Sequence, residues 1–364
     1  MTATAPRKTL ASFWEERAFS IGAHDVLWMD VAVAAMVRGE WAGFERRLTE
    51  GLACAAKARG DGVPADSEAI ESAAVEFRYK RDLISGTDVT AWLDTTGFSA
   101  ADWTEYLTRD LLRTRLSPVS DATLDAHAPS TRQLHEAALA EGICSGIFDE
   151  FERSLAGRVA LAEGADSAAL SAADAAPLRD TEAARLARVY AHWVNGRAAD
   201  DVRRRFVRAL RVEEIFRGVA ERLTTPAALA VIVDAHRVEW TRVTLATLSL
   251  PTDHAAREAV LCLTIDGLSL YEVGTLARQP VRRASLFLQD SPAERRPALL
   301  AAETGQVVGP IPTEDGRFDV CRVEDRVEPV LGDERVAERA RQTAIRDAAA
   351  LAMRERVVVR PTTR

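Results

Sequence analysis

The spacing of apolar residues changes near residue 240, and this change limits the possible folds more than any other feature of the sequence. Before it, apolar residues recur at helical intervals, as with Val26, Met29 and Val33 in the segment 25–58. After it, the segment 242–250, RVTLATLSL, alternates apolar and other residues as a strand does. The sequence therefore predicts an α+β protein, in which a mainly helical body precedes a small mixed unit.

The mixed unit is expected to have the order β-α-α-β-α-β-β. A turn at residues 251–253 precedes the helix HAAREAVLCLTIDG, and SLYEVGTLA forms a second helix. RRASLFLQD then reads as a strand and SPAERRPALLAAE as a helix. The segment 304–329, TGQVVGPIPTEDGRFDVCRVEDRVEP, supplies two more strands, with turns at Gly305 and Gly316. A capped helix and the short strand VVVR are expected to close the chain, and the alanine-rich segment 163–180 is expected to be a loop or a poorly held helix.

Charge and hydropathy argue against two classes of partner. The formal net charge is -8 and the pI is about 5.5, whereas binding to a phosphate backbone depends on clustered positive charge, so no nucleic acid is expected. No stretch approaches the roughly 18 apolar residues that cross a bilayer, so no membrane partner is expected. The N-terminal MTATAPRKTLASFWEERAF lacks the apolar core of a secretory signal, and a cytoplasmic location is expected.

Residues that bind metals or cofactors do not cluster in the sequence. No Walker loop, GxGxxG, HExxH or GxSxG occurs, and His135 and His192 are each isolated from other ligand-type residues. We therefore expect no metal and no cofactor. The cysteines show no CxxC spacing and are interpreted as reduced, packed thiols. They are Cys54, Cys144, Cys262 and Cys321.

The segment LLAAETGQVVGPIPTEDGRFDVCRVEDRVEP resembles the C-terminal half of a parvulin-type peptidyl-prolyl isomerase domain. In that family a helix ends in a glycine turn, a Gly-Pro-Val/Ile segment follows, and a Gly-Phe-His strand completes the sheet. Residues 242 to about 326 are similar in element order to a whole parvulin domain. The helical segment 66–116, which begins DSEAIESAAVEF, resembles the N-terminal portion of foldases of the SurA and PrsA type. The resemblance covers roughly residues 60–116 and 240–356.

This resemblance implies a domain organisation and a class of partner. In such foldases the terminal segment folds back onto the N-terminal helices, so one domain is built from both chain ends. We therefore expect a helical, chaperone-like peptide-binding domain of residues 1–239 completed by 331–364, and a parvulin-like α+β domain of residues 240–330. The implied partner is a peptide or unfolded protein segment, with a precursor peptide as one option. A folded partner protein is the alternative.

The catalytic residues of the family are not all present. A catalytic parvulin carries one histidine on its first strand and another on its last strand, with a Cys or Asp nearby. Here the strand 242–250 has no histidine, and Asp319 stands where the second histidine would lie. Isomerisation must lower a barrier of about 18–20 kcal/mol, but it needs no covalent step. An apolar pocket with suitable polar groups can suffice, so the loss of the histidines does not by itself exclude activity.

Three functions remain open from the sequence. The favoured one is a non-catalytic foldase relative that binds a peptide or unfolded segment, as a chaperone or as an accessory protein in peptide maturation. The second is an active peptidyl-prolyl isomerase with a rearranged site made of Asp319, Cys321 and His254, the last at the start of a helix. The third is a scaffold subunit whose surface binds a folded partner.

The predicted peptide contacts lie on strands and on two tryptophans. The main chain of residues 307–308 and of residues 318–323 is a candidate docking edge for strand addition. Trp92 and Trp103 are interpreted first as core, and otherwise as the lining of an apolar groove. The full set of predicted peptide-binding residues is Val307, Val308, Phe318, Val320, Leu245, Trp92 and Trp103.

Overall fold

The structure is a computed structural model and describes residues 8–63, 66–165, 177–194 and 196–359. By their internal contacts, these residues fall into two units. The first runs to Ala220 and includes the residues from Ala348 on, and the second is Glu221–Asp347. Helices accompanied by small antiparallel sheets make the protein α+β, as predicted. Within the described ranges, no helix is long and apolar enough to cross a bilayer.

The helices and strands are numbered in chain order. The helices are α1 (Leu10–Trp14), α2 (Trp28–Arg38), α3 (Glu40–Gly60), α4 (Ser67–Lys80), α5 (Gly86–Thr96), α6 (Ala100–Arg115), α7 (Asp121–Ala126), α8 (Thr131–Ser145), α9 (Ile147–Ala165), α10 (Pro177–Val189), α11 (Ala191–Val194), α12 (Ala199–Leu223), α13 (Pro226–Ala235), α14 (Asp253–Thr264), α15 (Leu270–Ala277), α16 (Arg296–Ala301) and α17 (Glu334–Arg356). The strands are β1 (Arg17–Ile21), β2 (His24–Leu27), β3 (Arg242–Leu250), β4 (Val281–Phe287), β5 (Val307–Pro312), β6 (Phe318–Val327) and β7 (Val357–Val359). Of the segment 163–180, for which a loop or poorly held helix is predicted, residues 166–176 lie outside the described ranges.

The core of the first unit is built around packed aromatic rings. Trp41 and Phe44 of α3 have ring centroids 4.8 Å apart, and the ring of Phe148 lies 5.3 Å from that of Phe44. Gly142 of α8 leaves room for Phe148, because a Cβ there would lie 2.4 Å from its ring atoms. Burying each such ring removes enough apolar surface from water to contribute about 1.5–3 kcal/mol.

A three-stranded antiparallel sheet within the first unit joins the two ends of the described chain. Its order is β2-β1-β7, and the register places Ile21 opposite Val357. The prediction of a strand in VVVR is confirmed for residues 357–359. The helical interpretation of residues 25–27 is wrong, because the buried Val26 lies on β2 and pairs with Phe19.

The second unit contains a four-stranded antiparallel sheet of order β4-β3-β6-β5. Between residues 242 and 327, its helices and strands follow one another in the predicted order β-α-α-β-α-β-β, with a short 3₁₀ helix at Leu288–Asp290. On one face, Leu248 and Val320 pack against α14 and α15. On the other, Leu245 and Val323 pack against Leu299 of α16. We call these the α14 face and the α16 face.

The second unit extends beyond its sheet at both ends because of one buried cluster. Leu229 and Val233 of α13 form a buried cluster with Trp240 and Phe287, so α13 belongs to the second unit. Val336, in the first turns of α17, is buried in the same cluster. From Ala348 on, the chain belongs to the first unit, where Ala352 is buried in the aromatic core.

Candidate functional site

The α16 face of the sheet changes from apolar to polar along its strands. Leu245 and Val323 are opposite each other at the apolar end, followed by the pair Thr247 and Cys321. Next come Ser249 and Asp319. Because side chains two residues apart on a strand share a face, all of these side chains point to the same side of the sheet. The polar end is the region that the sequence assigns to catalysis in the second of its three functions.

Asp319 is held by two partners at this polar end. Its side chain is buried, with the residue 4% exposed, and its Oδ1 accepts a hydrogen bond from the Ser249 hydroxyl. Its Oδ2 forms an ion pair with Nη2 of Arg295. A buried carboxylate that is both paired and hydrogen-bonded is compensated for its lost hydration. Both oxygens of the Asp319 carboxylate are therefore occupied by partners within the protein.

Cys321 lies in the core of the second unit. Its side chain is buried, and Sγ lies 3.4 Å from Oγ1 of Thr247. Burial raises the pKa of the Cys321 thiol above its ordinary value, so the thiol remains protonated and unreactive near neutral pH.

His254 does not complete a site with these two residues. It is exposed in the first turn of α14, and α14 covers the opposite face of the sheet through Ala256 and Ala259. Of the three residues of the predicted rearranged site, Asp319 and Cys321 share the α16 face, and His254 is not brought to it.

The structure places the predicted peptide contacts of the strands at different depths in the sheet. β6 lies between β3 and β5 and is hydrogen-bonded on both sides, so residues 318–323 cannot accept an added strand. Leu245 and Val320 are fully buried in the cores of the two faces, and Phe318 is half-buried against the α14 face. Val307 and Val308 lie on β5, which is an outer strand of this sheet among the described residues.

Trp92 and Trp103 belong to a separate cluster in the first unit. Their ring centroids lie 5.3 and 5.5 Å from that of Phe77, and 6.4 Å from each other. Both are half-buried and pack around Phe77, Leu83 and Tyr106. This arrangement gives them a packing role.

A cleft opens beside the hairpin that joins β5 and β6. Its volume is about 530 Å³, and its apolar lining comes from Pro292, Ile311 and Pro312. Arg295 also contributes to the wall. The guanidinium that neutralises Asp319 is therefore part of the cleft lining as well.

The rim of the cleft is acidic. Glu294, Glu314 and Asp315 line it, the last two within the hairpin turn. The Thr313 hydroxyl donates a 2.5 Å hydrogen bond to Asp315 and lowers the pKa of that carboxyl below its ordinary value. Asp315 therefore keeps its negative charge near neutral pH.

Gly309 allows β5 to pass close to β6 at the base of this hairpin. Its φ is 142°, and a Cβ there would lie 2.7 Å from the carbonyl oxygen of Asp319. The register of β5 against β6 shifts between Val308 and Ile311, so this is an irregularity of the strand pair that only glycine fits.

Sequence reasoning missed Arg295 and one aromatic cluster. An acid at an inward-facing strand position implies a nearby cation, and this signal could have directed attention to the arginines of SPAERRPALL. In the first unit, the rings of His135 and His192 lie 5.2 and 5.4 Å from that of Trp193, a cluster that the sequence does not indicate. Among the described residues, no group of three or more His, Cys, Asp or Glu is placed to hold a metal.

Comparison with known proteins gives distant structural similarities. No family model matches the sequence, and no curated protein matches it. A peptidylprolyl isomerase, PrsA, from Bacillus cereus is similar over 59% of this chain and 85% of its own, with 11% identity and a TM-score of 0.33. The foldase protein PrsA from Streptococcus pneumoniae is similar over 55% and 81%, with 13% identity and a TM-score of 0.24. PrsA from Bacillus subtilis is similar over 58% and 87%, with 10% identity and a TM-score of 0.20.

Proposed function

We propose that the protein is a non-catalytic relative of the parvulin-like foldases, which binds a peptide or unfolded segment in the cleft beside the β5–β6 hairpin. The observation that carries the proposal is the state of Asp319. This residue stands at the position that resembles the second histidine of the family, and it is buried against Ser249 and Arg295.

The chemistry of rotation about a prolyl bond explains why this observation matters. Catalysis requires polar groups that stabilise the twisted amide more than the planar one. The carboxylate of Asp319 already accepts from Ser249 and pairs with Arg295. The Cys321 thiol is buried and protonated, so neither group is positioned to act on a substrate amide.

The cleft supports binding without turnover. A volume of about 530 Å³ falls within the range of roughly 300–1,000 Å³ found for ligand sites. An apolar side chain of an extended segment can pack on Pro292, Ile311 and Pro312. The outer strand β5 lies beside it and offers main-chain groups for strand addition.

The wider proposal keeps the organisation expected from the sequence. The first unit acts as a chaperone-like body, and residues 240–330, within the second unit, act as a parvulin-like unit. The protein works in the cytoplasm, either as a general chaperone or as an accessory protein that holds a precursor peptide during its maturation. Cell fractionation and recovery of bound peptides test these two statements.

Two assays on the full chain test the proposed function. Cis/trans exchange of a proline-containing peptide should not be accelerated by the wild type or by Asp319→Ala. Fluorescence anisotropy should detect binding of a labelled unfolded segment, and this binding should weaken several-fold in Pro312→Asp, which places a charge on the exposed apolar lining. Leu276→Asp on α15, at a residue that is 74% exposed and outside the cleft lining, is the matched control and should bind normally.

Each alternative has its own outcome. Acceleration of exchange by the wild type that is lost in Asp319→Ala, once circular dichroism has established that this variant is folded, would make the protein an isomerase and overturn the non-catalytic assignment. Stable co-purification with one folded protein, together with no affinity for extended segments, would identify a scaffold subunit instead.

A further inference from the structure

Arg109 of α6 is a buried arginine with most of its hydrogen-bonding capacity unused. The residue is 3% exposed, and its Nη1 donates to Oε1 of Glu105 at 3.0 Å. Its Nε and Nη2 are buried and make no hydrogen bond within the described part of the chain. Since Nε carries one N–H and Nη2 carries two, three of the five donors of the guanidinium lack an acceptor. A buried group of this kind is costly unless a partner arrives.

The pair of atoms left free forms the side of a guanidinium that binds a carboxylate through two parallel hydrogen bonds. In Arg38 the same two nitrogens bind a carboxylate of this protein. There Nε donates to Oε1 of Glu40 at 2.9 Å, and Nη2 donates to Oε2 at 2.7 Å. The free side of Arg109 is therefore complementary to one carboxylate.

Two further acids on α6 and α8, Asp110 and Glu141, are already engaged by other arginines. Asp110 accepts from Arg47 at 2.7 Å and from Arg113 at 2.8 Å. Glu141 accepts from Arg47 at 2.7 Å. These carboxylates are thus bound elsewhere, and the free side of Arg109 is left for an acceptor from outside the chain.

Arg109 contributes to the wall of a groove between α3 and α6. The groove has a volume of about 540 Å³, which is typical of small-molecule sites. Its lining is mostly apolar, and the hydroxyls of Thr104 and Thr108 donate to main-chain carbonyls of α6. The apolar lining residues are Leu52, Ala55, Ala58, Val63, Ala101 and Leu112.

The charged residues that line the groove indicate the charge of the ligand that it can bind. Its ionisable residues are Arg59, Glu105 and Arg109, which give two positive charges and one negative charge. Glu105 is 66% exposed, so a guanidinium that turns towards a ligand gives up one solvent-screened contact. The groove is therefore suited to an anion of single charge that carries an apolar chain.

We propose that the groove between α3 and α6 binds a small monocarboxylate with an apolar chain, such as a medium-chain fatty acid. In the bound state the guanidinium of Arg109 turns from Glu105 into the groove, so that the carboxylate accepts hydrogen bonds from Nε and Nη2, which are buried in the structure. The chain lies along the apolar residues of α3. This site is separate in sequence and fold from the cleft of the second unit. It does not depend on the proposed function.

Titration of the full chain with decanoate, below its micellar concentration, tests the proposal. Isothermal calorimetry should give one site for decanoate, and the neutral analogue decanol should bind roughly tenfold or more weakly, because it lacks the charged acceptor. Arg109→Met should weaken decanoate binding to the level of decanol. Ala55→Trp, which fills the groove without removing the guanidinium, should abolish binding of both compounds.

A further variant separates a ligand contact from a structural role. Glu105→Gln removes the competing negative charge, so it should strengthen decanoate binding and leave decanol binding unchanged. Circular dichroism establishes that each variant is folded before it is titrated.

Three outcomes would overturn the proposal. The first is no decanoate binding by the wild type, and the second is equal binding by a folded Arg109→Met variant. The third is tighter binding of a peptide that ends in an apolar residue with a free carboxylate, lost when that terminus is amidated. That result would assign the groove to chain termini and not to small amphiphiles.

Discussion

The carboxylate of Asp319 and the guanidinium of Arg295 form an ion pair on the α16 face of the sheet, with the acid almost fully buried. The pair lies at the polar end of the cross-strand ladder, where Asp319 also accepts a hydrogen bond from Ser249. Because Arg295 and Ser249 neutralise and hydrogen-bond the buried carboxylate, the polar end of the α16 face is stable without a substrate. The same contact makes Asp319 a poor candidate for catalysis and Arg295 a wall of the neighbouring cleft.

Removing one member of this pair should be strongly destabilising. Asp319→Asn leaves the Arg295 guanidinium without a counter-charge, and Arg295→Met leaves the Asp319 carboxylate without one. We expect each variant to lower the free energy of unfolding by about 3–5 kcal/mol. The double variant Asp319→Leu/Arg295→Met should recover most of this loss. Urea denaturation of the full chain, monitored by fluorescence, measures the free energy of unfolding of the two single variants and of the double variant.

The exposed pair of Arg283 and Glu324 provides the control for that experiment. Arg283→Met should change the unfolding free energy by about 1 kcal/mol or less, because solvent screens this contact. A loss of similar size in Arg283→Met and Arg295→Met would show that burial of the Asp319 pair is energetically unimportant.

Gly309→Ala should destabilise the second unit. The new Cβ would meet the carbonyl oxygen of Asp319 at 2.7 Å, and the φ of 142° is strained for any residue with a side chain. Backbone strain of this kind costs about 1–3 kcal/mol before the clash is counted. Thermal denaturation should therefore show a lower Tm. Gly332→Ala, which meets nothing within 4 Å and has no positive φ, should leave the Tm nearly unchanged.

Stability should fall as the pH rises, because of Glu152 on α9. Burial, followed by the nearby charge of Asp149, raises the pKa of Glu152 from its ordinary value of 4.5 to about 7. The folded state then holds a proton that the unfolded state releases between these two values. Protonation of Glu152 therefore makes its full contribution to the free energy of unfolding below pH 4.5, and this contribution is lost as the pH rises to about 7.

Glu152→Gln should remove this dependence on pH. At pH 8 the variant should be more stable than the wild type by about 1–2 kcal/mol, since one pKa unit corresponds to about 1.4 kcal/mol and partial exposure reduces the effect. At pH 4.5 the two should be equal in urea denaturation. Glu71→Gln, at an exposed position of α4, should show no difference between the two pH values. An unchanged gap between Glu152→Gln and wild type at both pH values would contradict the buried-acid explanation.

Alkylation should distinguish the cysteines by burial. Burial raises the pKa of the Cys144 thiol to about 12 and raises that of Cys321 as well, so neither forms a thiolate near pH 8 in the folded protein. Cys262 is half-buried on α14 and should react first with iodoacetamide. Mass spectrometry after limited alkylation should find Cys262 modified, with Cys144 and Cys321 modified only in urea. Early modification of Cys321 would mean that its thiol opens to the cleft.

Local patterns predicted much of the fold. In the second unit, Thr252 caps α14 and Ser269 caps α15 by accepting main-chain hydrogen bonds, and turn residues separate the strands where the sequence indicates. These signals act over a few residues, so they can be read directly from the chain. The strand β2 was missed because the helical spacing of Val26, Met29 and Val33 continues across the true boundary at Trp28.

The candidate site could be predicted only in part. Asp319 and Cys321 were identified from their positions on the last strand, and the structure places both on the α16 face. The partner of Asp319 could not be identified in the same way, since Arg295 lies 24 residues earlier in a segment that contains two adjacent arginines. His254 follows β3 closely in sequence, but it lies on α14, which covers the opposite face of the sheet from Asp319 and Cys321.

The amino-acid sequence by itself determined the helical spacing of the first unit, the order of helices and strands in the second, and the absence of a histidine from the strand 242–250. Only the tertiary structure decided that β6 is an inner strand, that Asp319 is neutralised by Arg295, and that Arg109 is buried with free donors. The physical reason is that helix and turn preferences arise from neighbouring residues. Strand order, burial and charge pairing depend on which distant segments pack together, and a single sequence does not specify those contacts locally.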